Sequence, residues 1–400
     1  MGYDVSASDY VIRVLDTPLD ISAKAWNALL AAQSQPNPFM RHEYLAALHT
    51  SGCARPKSGW TPRFLTLWQR DASGELQLRA ACALYLKTHS HGEYVFDWAW
   101  ANAYAEHGLA YYPKALAAVP FTPVPGSRLL ACDAQTRQAL LNALLLWCQD
   151  QKLSSLHLLF IADDDEAVCT QAGLMLRHSV QFHWNNDGYR DFDQFLAALT
   201  QEKRKKIRQE RRKVSSAGVV IRWTQGQDIS AQDWEFFYRC YERTYLEHGN
   251  APYLSRSFFQ SMADHMAQNW LLFVAERDGR PLASSLIGLS DPLAGVPMSP
   301  GVAYGRYWGA LERVDCLHFE LCYYQPLQWC IAHGVQRFEG GAQGEHKMAR
   351  ALLPVKTSSA HWLAHPAFAD AVQRFLEREG QGIEGYLDEL EQRSPLRQVG

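Results

Sequence analysis

The chain has 400 residues, is 47% hydrophobic and 20% charged, and carries a formal net charge of −3. That length favours two domains over one core, and that charge excludes a protein coated in basic residues, so any polyanion must be met by a local patch. Nine cysteines, an odd number with no C-x-x-C pair, argue for reduced thiols and against a disulfide scaffold or zinc ribbon.

The opening MGYDVSASDYVIRVLD lacks a basic stretch followed by an apolar one, so no secretory signal is expected. The longest apolar run, 139–148, is too short for a transmembrane segment, and a cytoplasmic protein is the expectation. Residues 10–15 alternate as a strand, 22–33 have helical spacing (Trp26, Leu29, Leu30), and 37–54 read as a second helix. Residues 60–69 and 76–89 predict paired strands about the turn 71–74. There is no Walker lysine loop, and no G-x-G-x-x-G sits between a strand and a helix, so ATP or NAD use has no support.

The segment 92–130 crowds aromatic rings around Asp97, His107 and Lys114, and Pro120, Pro123 and Pro125 stiffen its exit. Two readings stand. It is a packed aromatic loop with solvated tips, or a substrate-binding wall in which Trp98, Tyr104 and Tyr111 offer flat faces and Asp97, His107 and Lys114 orient a polar ligand. Residues 134–152 form an amphipathic helix, 155–160 a buried strand, and the acidic run 163–166 opens a short helix. His89 and His91 form an H-x-H without further clustered ligands, so no metal site is expected.

The polar, turn-rich stretch 181–190 marks a junction, which gives domains 1–185 and 186–400. A helix follows that contains KRKKIRQERRK, with eight basic residues against two acidic ones between Gln201 and Lys213. At 100° per residue Arg204, Lys205, Arg208, Arg211 and Arg212 share roughly a third of the circumference. With few acidic i,i+4 partners, that face is a candidate phosphate-binding surface, against the plainer reading of a solvated helix.

Beyond it, 218–223 is a strand, 230–248 and 255–268 are helices, and 270–278 with 281–289 form a hairpin about Gly279. Strand 301–308, helix 314–333 and strand 335–339 complete an order that the first half largely shares. The fold class is therefore α+β, as two tandem domains, each a mixed, mostly antiparallel sheet flanked by helices.

Residues 304–362 hold the densest polar cluster, punctuated by Gly334, Gly340, Gly341 and Gly344. The candidate catalytic residues are His318, Glu320, Glu339 and Lys347; the candidate substrate-binding residues here are Tyr304, Arg306, Gln343, Glu345, His346 and Arg350. Glu320, Glu339 and His318 are potential bases for an amine. Lys347, His346 and Arg350 bring positive charge to a carboxylate, phosphate or oxyanion, and the glycines admit close backbone approach. The plainer readings are that Glu339 caps its strand, Arg306 pairs with Glu312 or Glu320, and His318 is a core histidine. On a regular helix His318 and Glu320 do not share a face; Pro326, which leaves the Cys322 carbonyl without a donor, can supply a kink.

The element order resembles the GNAT acyltransferase fold in tandem. The tandem arrangement, the KRKKIRQERRK helix and the ending QWCIAHGVQRFEGG resemble the Fem family of aminoacyl-tRNA-dependent peptidoglycan branching transferases. DWAWANAYAEHGLAYYPKALAAVPFTPVPGSRLL, YGRYWG, LHFELCYYQ and GAQGEHKMAR are similar to its FemAB-like branch over essentially the whole chain. Ala351-Leu352 departs from the family's Gly-Phe, the long coiled-coil arm is absent, and GALERVDCLH replaces the glycine-rich Q/R-x-x-G-x-G/A signature for coenzyme A. The resemblance implies transfer of an activated acyl group to an amine, with aminoacyl-tRNA as donor and a peptidoglycan precursor or small molecule as acceptor. The alternatives are an acyl-CoA-dependent N-acyltransferase and a non-catalytic ligand-binding module of GNAT fold. No cofactor is required beyond the donor, and tRNA is the implied partner. A groove between or along the two halves is expected, with the aromatic segment 94–125 facing the 340–347 loop.

Overall fold

The computed structural model describes residues 10–291, 301–342 and 344–397. The chain forms two compact units, Met1–Ser179 with Thr357–Gly382 and Val180–Lys356 with Ile383–Gly400. The division falls at 179 where 185 was expected, and 357–382 belongs with the first unit. The reason is a pairing that element order alone does not reveal, described below.

In the first unit the elements are β1 (Val11–Leu15), α1 (Ala23–Ala31), α2 (His42–Thr50), β2 (Trp60–Pro62), β3 (Phe64–Arg70), β4 (Leu76–Cys82) and β5 (Leu84–Lys87). They continue through α3 (Trp98–Glu106), β6 (Lys114–Ala117), β7 (Leu130–Ala131), α4 (Ala134–Asp150), β8 (Ser155–Ile161), α5 (Asp163–Gln171) and the start of β9 (Met175–Asn185). The expected hairpin is present, but each of its arms is split. β3 pairs with β4 in a sheet ordered β1-β3-β4-β7, while β2 pairs with β5 in the other sheet. Leu65, Leu67, Leu140, Leu144, Leu156 and Leu158 fill the core that these strands share with α4.

The second unit contains α6 (Phe192–Ala198), α7 (Gln201–Ser216), β10 (Val220–Gln225), α8 (Ala231–Glu247), α9 (Arg256–His265), β11 (Trp270–Arg277), β12 (Arg280–Leu289) and β13 (Val302–Ala310). A short α10 (Leu317–Phe319), a π-turn at Glu320–Tyr324, α11 (Gln325–Ala332), β14 (Arg337–Ala342) and a 3-10 turn at Glu345–Arg350 follow. β15 (Leu353–Leu363) then returns to the first unit, where Ala360 and Trp362 pair with Leu158 and Leu156 of β8. The last helix is α12 (Pro366–Gln392).

The strands of the second unit run β10-β11-β12-β13-β14-β9, antiparallel except for β13–β14. β6–β8 is the corresponding parallel pair of the first unit. Both units thus repeat strand, two helices, antiparallel strands, helix, strand, with α3 inserted in the first. This is the α+β, GNAT-like order expected. Among the described residues, no helix is long and apolar enough to cross a membrane.

The helix expected over 314–333 is interrupted. Gln325 N–H bonds to the Glu320 carbonyl, five residues back, and Glu320–Tyr324 forms a π-turn just before Pro326. The proline has no N–H to give, so the helix widens there instead of continuing regularly.

Candidate functional site

α7 is rich in Lys, Arg, Gln and Glu, good helix formers, and buries Ile207, Glu210 and Val214 along one stripe. The adjoining face bears Arg204, Lys205, Arg208, Arg211 and Arg212, and all five line one open groove of about 780 Å³. Phe192 and Leu196 of α6, Ile221 of β10, and Glu320 and Gln325 of the π-turn region complete its walls. Glu320 is 3% exposed. It accepts from Arg211 Nε at 3.0 and 3.2 Å and from Gln325 Nε2 at 2.8 Å. Arg211 also donates to Gln328 Oε1 at 3.0 Å.

His318 points elsewhere. It packs edge-on against Trp308 and Tyr323, with ring centroids at 5.3 and 5.8 Å. A cavity of about 130 Å³ is lined there by Ser285, Arg306, Trp308, His318, Tyr323 and Gly340. A larger one of about 430 Å³, with Arg243 and Arg313 on its wall, shares Trp308 and His318 with it. So Glu320 and His318 face different cavities, and the π-turn does not bring them into one site. Burial, and then the charges of His346, Arg350 and Lys347, push His318 down to about 4, which leaves its ring neutral at pH 7.

Lys347 is buried and donates Nζ to the Gly341 carbonyl at 3.0 Å. A Cβ added at Gly340 would lie 3.3 Å from Lys347 Cδ, and one at Gly341, where φ is +78°, 3.9 Å from Arg306 Nη1. The glycines thus bring two cations against the end of β14, of which Arg306 lines the smaller cavity together with Gly340. Burial and the neighbouring Arg306 lower Lys347 to about 8. His346 is exposed, with Nε2 3.3 Å from Tyr323 Oη. Arg306 pairs with neither carboxylate expected for it, because Glu312 is held by Arg277 and Glu320 by Arg211.

The remaining residues of this stretch separate by role. Glu339 is buried, stands in register with Tyr304 of β13 and His183 of β9, and pairs with Arg337 at 3.0 Å. Its other oxygen has no hydrogen-bond partner among the described residues, and burial pushes it up to about 7. Arg350 is committed to structure: it donates to Glu210 at 2.9 Å, to Tyr324 Oη at 3.1 Å and to the His346 carbonyl at 2.8 Å, and it stacks over Phe319. Glu345 is exposed and held by Tyr386 and Arg393. Gln343 lies outside the described residues. The sequence reading missed Glu210 as Arg350's partner. Its place on the apolar stripe of α7, between Ile207 and Val214, was the available signal.

In the first unit, Asp97, Tyr111 and Lys114 are buried and bonded to one another. Lys114 Nζ donates to Ser90 and Glu93 at 2.8 Å each and to Asp97, while Tyr111 donates to Asp97 at 2.6 Å. His157 continues the network, with Nε2 3.1 Å from Tyr111 Oη and Nδ1 2.8 Å from His361 Nδ1. All are buried. Desolvation lifts Glu93 to about 7, lowers His157 to about 3, and lowers Lys87, which lies over the Trp60 ring, to about 7. Tyr104 packs against Phe368; Trp98 and His107 are the exposed members of the expected wall. A histidine inside the seven-residue buried strand β8 was the signal for this network. Among the described residues, no group of three or more His, Cys, Asp or Glu could hold a metal.

The family model for FemAB-like proteins, described as peptidoglycan biosynthesis/recognition, matches residues 18–398. The chain belongs to the FemAB-like family. No curated protein matches it. Among solved structures, this FemAB-like chain is similar to L-PGS from Bacillus licheniformis at 10% identity and TM-score 0.51, over 89% of this chain and 97% of that one. A conserved protein of unknown function from Bacteroides thetaiotaomicron aligns at 10% identity and TM-score 0.49, over 88% and 99%. A tandem GNAT protein from the clavulanic acid biosynthesis pathway aligns at 12% and 0.44, over 90% and 99%. At such identities the first of these likenesses speaks for the fold alone.

Proposed function

We propose that this FemAB-like protein transfers an acyl or aminoacyl group from a phosphate-bearing donor to an amine. The observation that carries the reading is the groove of α7, where five basic side chains line one wall of a cavity large enough for a phosphate backbone. Transfer is placed in the cavity at His318. The amine lone pair attacks the donor's carbonyl carbon, the C–N bond forms, and the donor's C–O bond breaks. The amine loses a proton to the neutral His318 ring, which returns it to the leaving oxygen. Arg306 and the ammonium of Lys347 oppose the charge that develops on the carbonyl oxygen.

Groove and cavity are lined by different residues of the 317–325 segment, so a donor engaging both must span it. A charged tRNA has that reach, and a cell-wall precursor amine is the acceptor that the family description favours. The second reading, an acyl-coenzyme A donor, draws on the cavity of about 430 Å³ with Arg243 and Arg313 on its wall. Thermal stabilisation by charged tRNA, by acetyl-coenzyme A and by a nucleotide-linked muropeptide separates the donors. Stabilisation by coenzyme A alone ends the tRNA reading. Binding without turnover of any donor makes the protein a recognition module.

A further inference from the structure

β10 is the terminal strand of the second unit's sheet, and its two faces differ. Arg222 turns to α8, where it pairs with Asp233. Ile221 lines the basic groove, and Trp223, two residues on, lies on the same face about 7 Å farther along the strand. The residue is 47% exposed.

The ring is also braced. Trp329 of α11 and His333, the residue that caps its C-terminus, stack on each other at 4.1 Å and 17°. Trp223 meets both edge-on, at 6.2 and 5.5 Å. Gln328, the neighbour of Trp329, holds the guanidinium of Arg211. The basic groove and the aromatic platform are therefore joined through two consecutive residues of α11. A half-exposed indole, backed by two further rings and two residues along the strand from the wall of a guanidinium-lined groove, is the pairing by which unpaired nucleotides are held: charge takes the phosphates, and a flat ring takes the base. A plain phosphate has no use for the ring.

We infer that Trp223 is a base-stacking residue, and that the ligand of the α7 groove is a nucleotide with an unpaired base. This rests on the phosphate-binding reading of the groove, and the test separates the two. Binding of a short single-stranded RNA, of the same RNA with one abasic position, of UDP and of inorganic pyrophosphate is measured by titration on wild type, Trp223→Ala, Trp223→Phe and Arg204→Glu/Arg208→Glu. Trp223→Ala is expected to weaken the intact RNA or UDP about 5- to 100-fold. Pyrophosphate binding stays unchanged, and Trp223→Phe recovers most of the loss. The abasic RNA is expected to gain nothing from Trp223. A Trp223 effect on RNA but not UDP names a nucleic acid as the source, and the reverse names a nucleoside diphosphate. If Trp223→Ala binds both as wild type does while the arginine variant loses them, base stacking is overturned and the groove stands. If neither variant changes any affinity, both readings fall. Trp223 is half exposed on an edge strand, and unchanged circular dichroism of the alanine variant excludes misfolding as the cause.

Discussion

Arg211 donates its Nε to both carboxylate oxygens of Glu320, at 3.0 and 3.2 Å, on the wall of the basic groove. The pair ties the middle of α7 to the π-turn and fixes the guanidinium's direction. Glu320 is thus held by Arg211 and Gln325, and it is expected to act by positioning Arg211. Glu320→Gln keeps the shape and removes the charge. Folding stability is expected to fall by about 1–2 kcal/mol, because Arg211 is partly exposed and its loss is screened. Affinity for a phosphate ligand is expected to rise several-fold at low salt, since an anion no longer competes for Arg211. A base would behave differently: turnover would drop while affinity stayed level.

Lys347 is charged below about pH 8 and neutral above it. If its ammonium opposes the developing oxyanion, kcat/KM falls as pH rises through about 8. Lys347→Arg keeps the charge to higher pH and is expected to remove that falling limb. Lys347→Met is expected to lower kcat by about 100-fold or more at every pH. A falling limb that persists in the arginine variant assigns it to another group.

Glu339 is protonated in the folded protein up to about pH 7, and in the unfolded chain only to its ordinary 4.5. The folded state therefore binds more protons between these values. Its stabilising contribution is full below 4.5 and is lost as pH rises through 7. Glu339→Gln cannot lose a proton. The stability difference between variant and wild type should then grow with pH across that window, by on the order of 3 kcal/mol. Urea unfolding at pH 5 and pH 8 measures it, and a difference independent of pH would show that Arg337 holds Glu339 ionised throughout.

Lys114 holds Glu93 and Asp97 inside the first unit. Lys114→Met leaves two buried carboxylates without their shared partner. It is expected to cost about 3–5 kcal/mol in urea unfolding, with no change in KM for any accepted substrate among molecules that remain folded. A rise in KM at unchanged stability would return this cluster to substrate binding.

These particulars show what was readable from the chain. The cationic face of α7 was legible because helical periodicity fixes which side chains share a face, and one helix sufficed. The α+β order was legible from alternating and amphipathic runs. Pairings remote in sequence were not. Nothing local marks β15 as returning to β8, or Glu210 as the partner of Arg350, 140 residues on. For the same reason Asp97 and Lys114 read as candidate ligand contacts when they are partners of each other: residue type declares a need for a partner without naming it. His318 and Glu320 needed the direction of each side chain, and the π-turn, expected only as a kink, did not unite them.

The central claim is that the α7 face holds phosphates. The most direct measurement is the affinity of charged tRNA for wild type and for Arg204→Glu/Arg208→Glu across a range of salt concentrations. The account predicts weaker binding by the variant at low salt, and a plot of log affinity against log salt shallower by about two for the two lost phosphate contacts. Equal affinity at low salt and an unchanged slope would contradict it, and α7 would then be a solvated helix face.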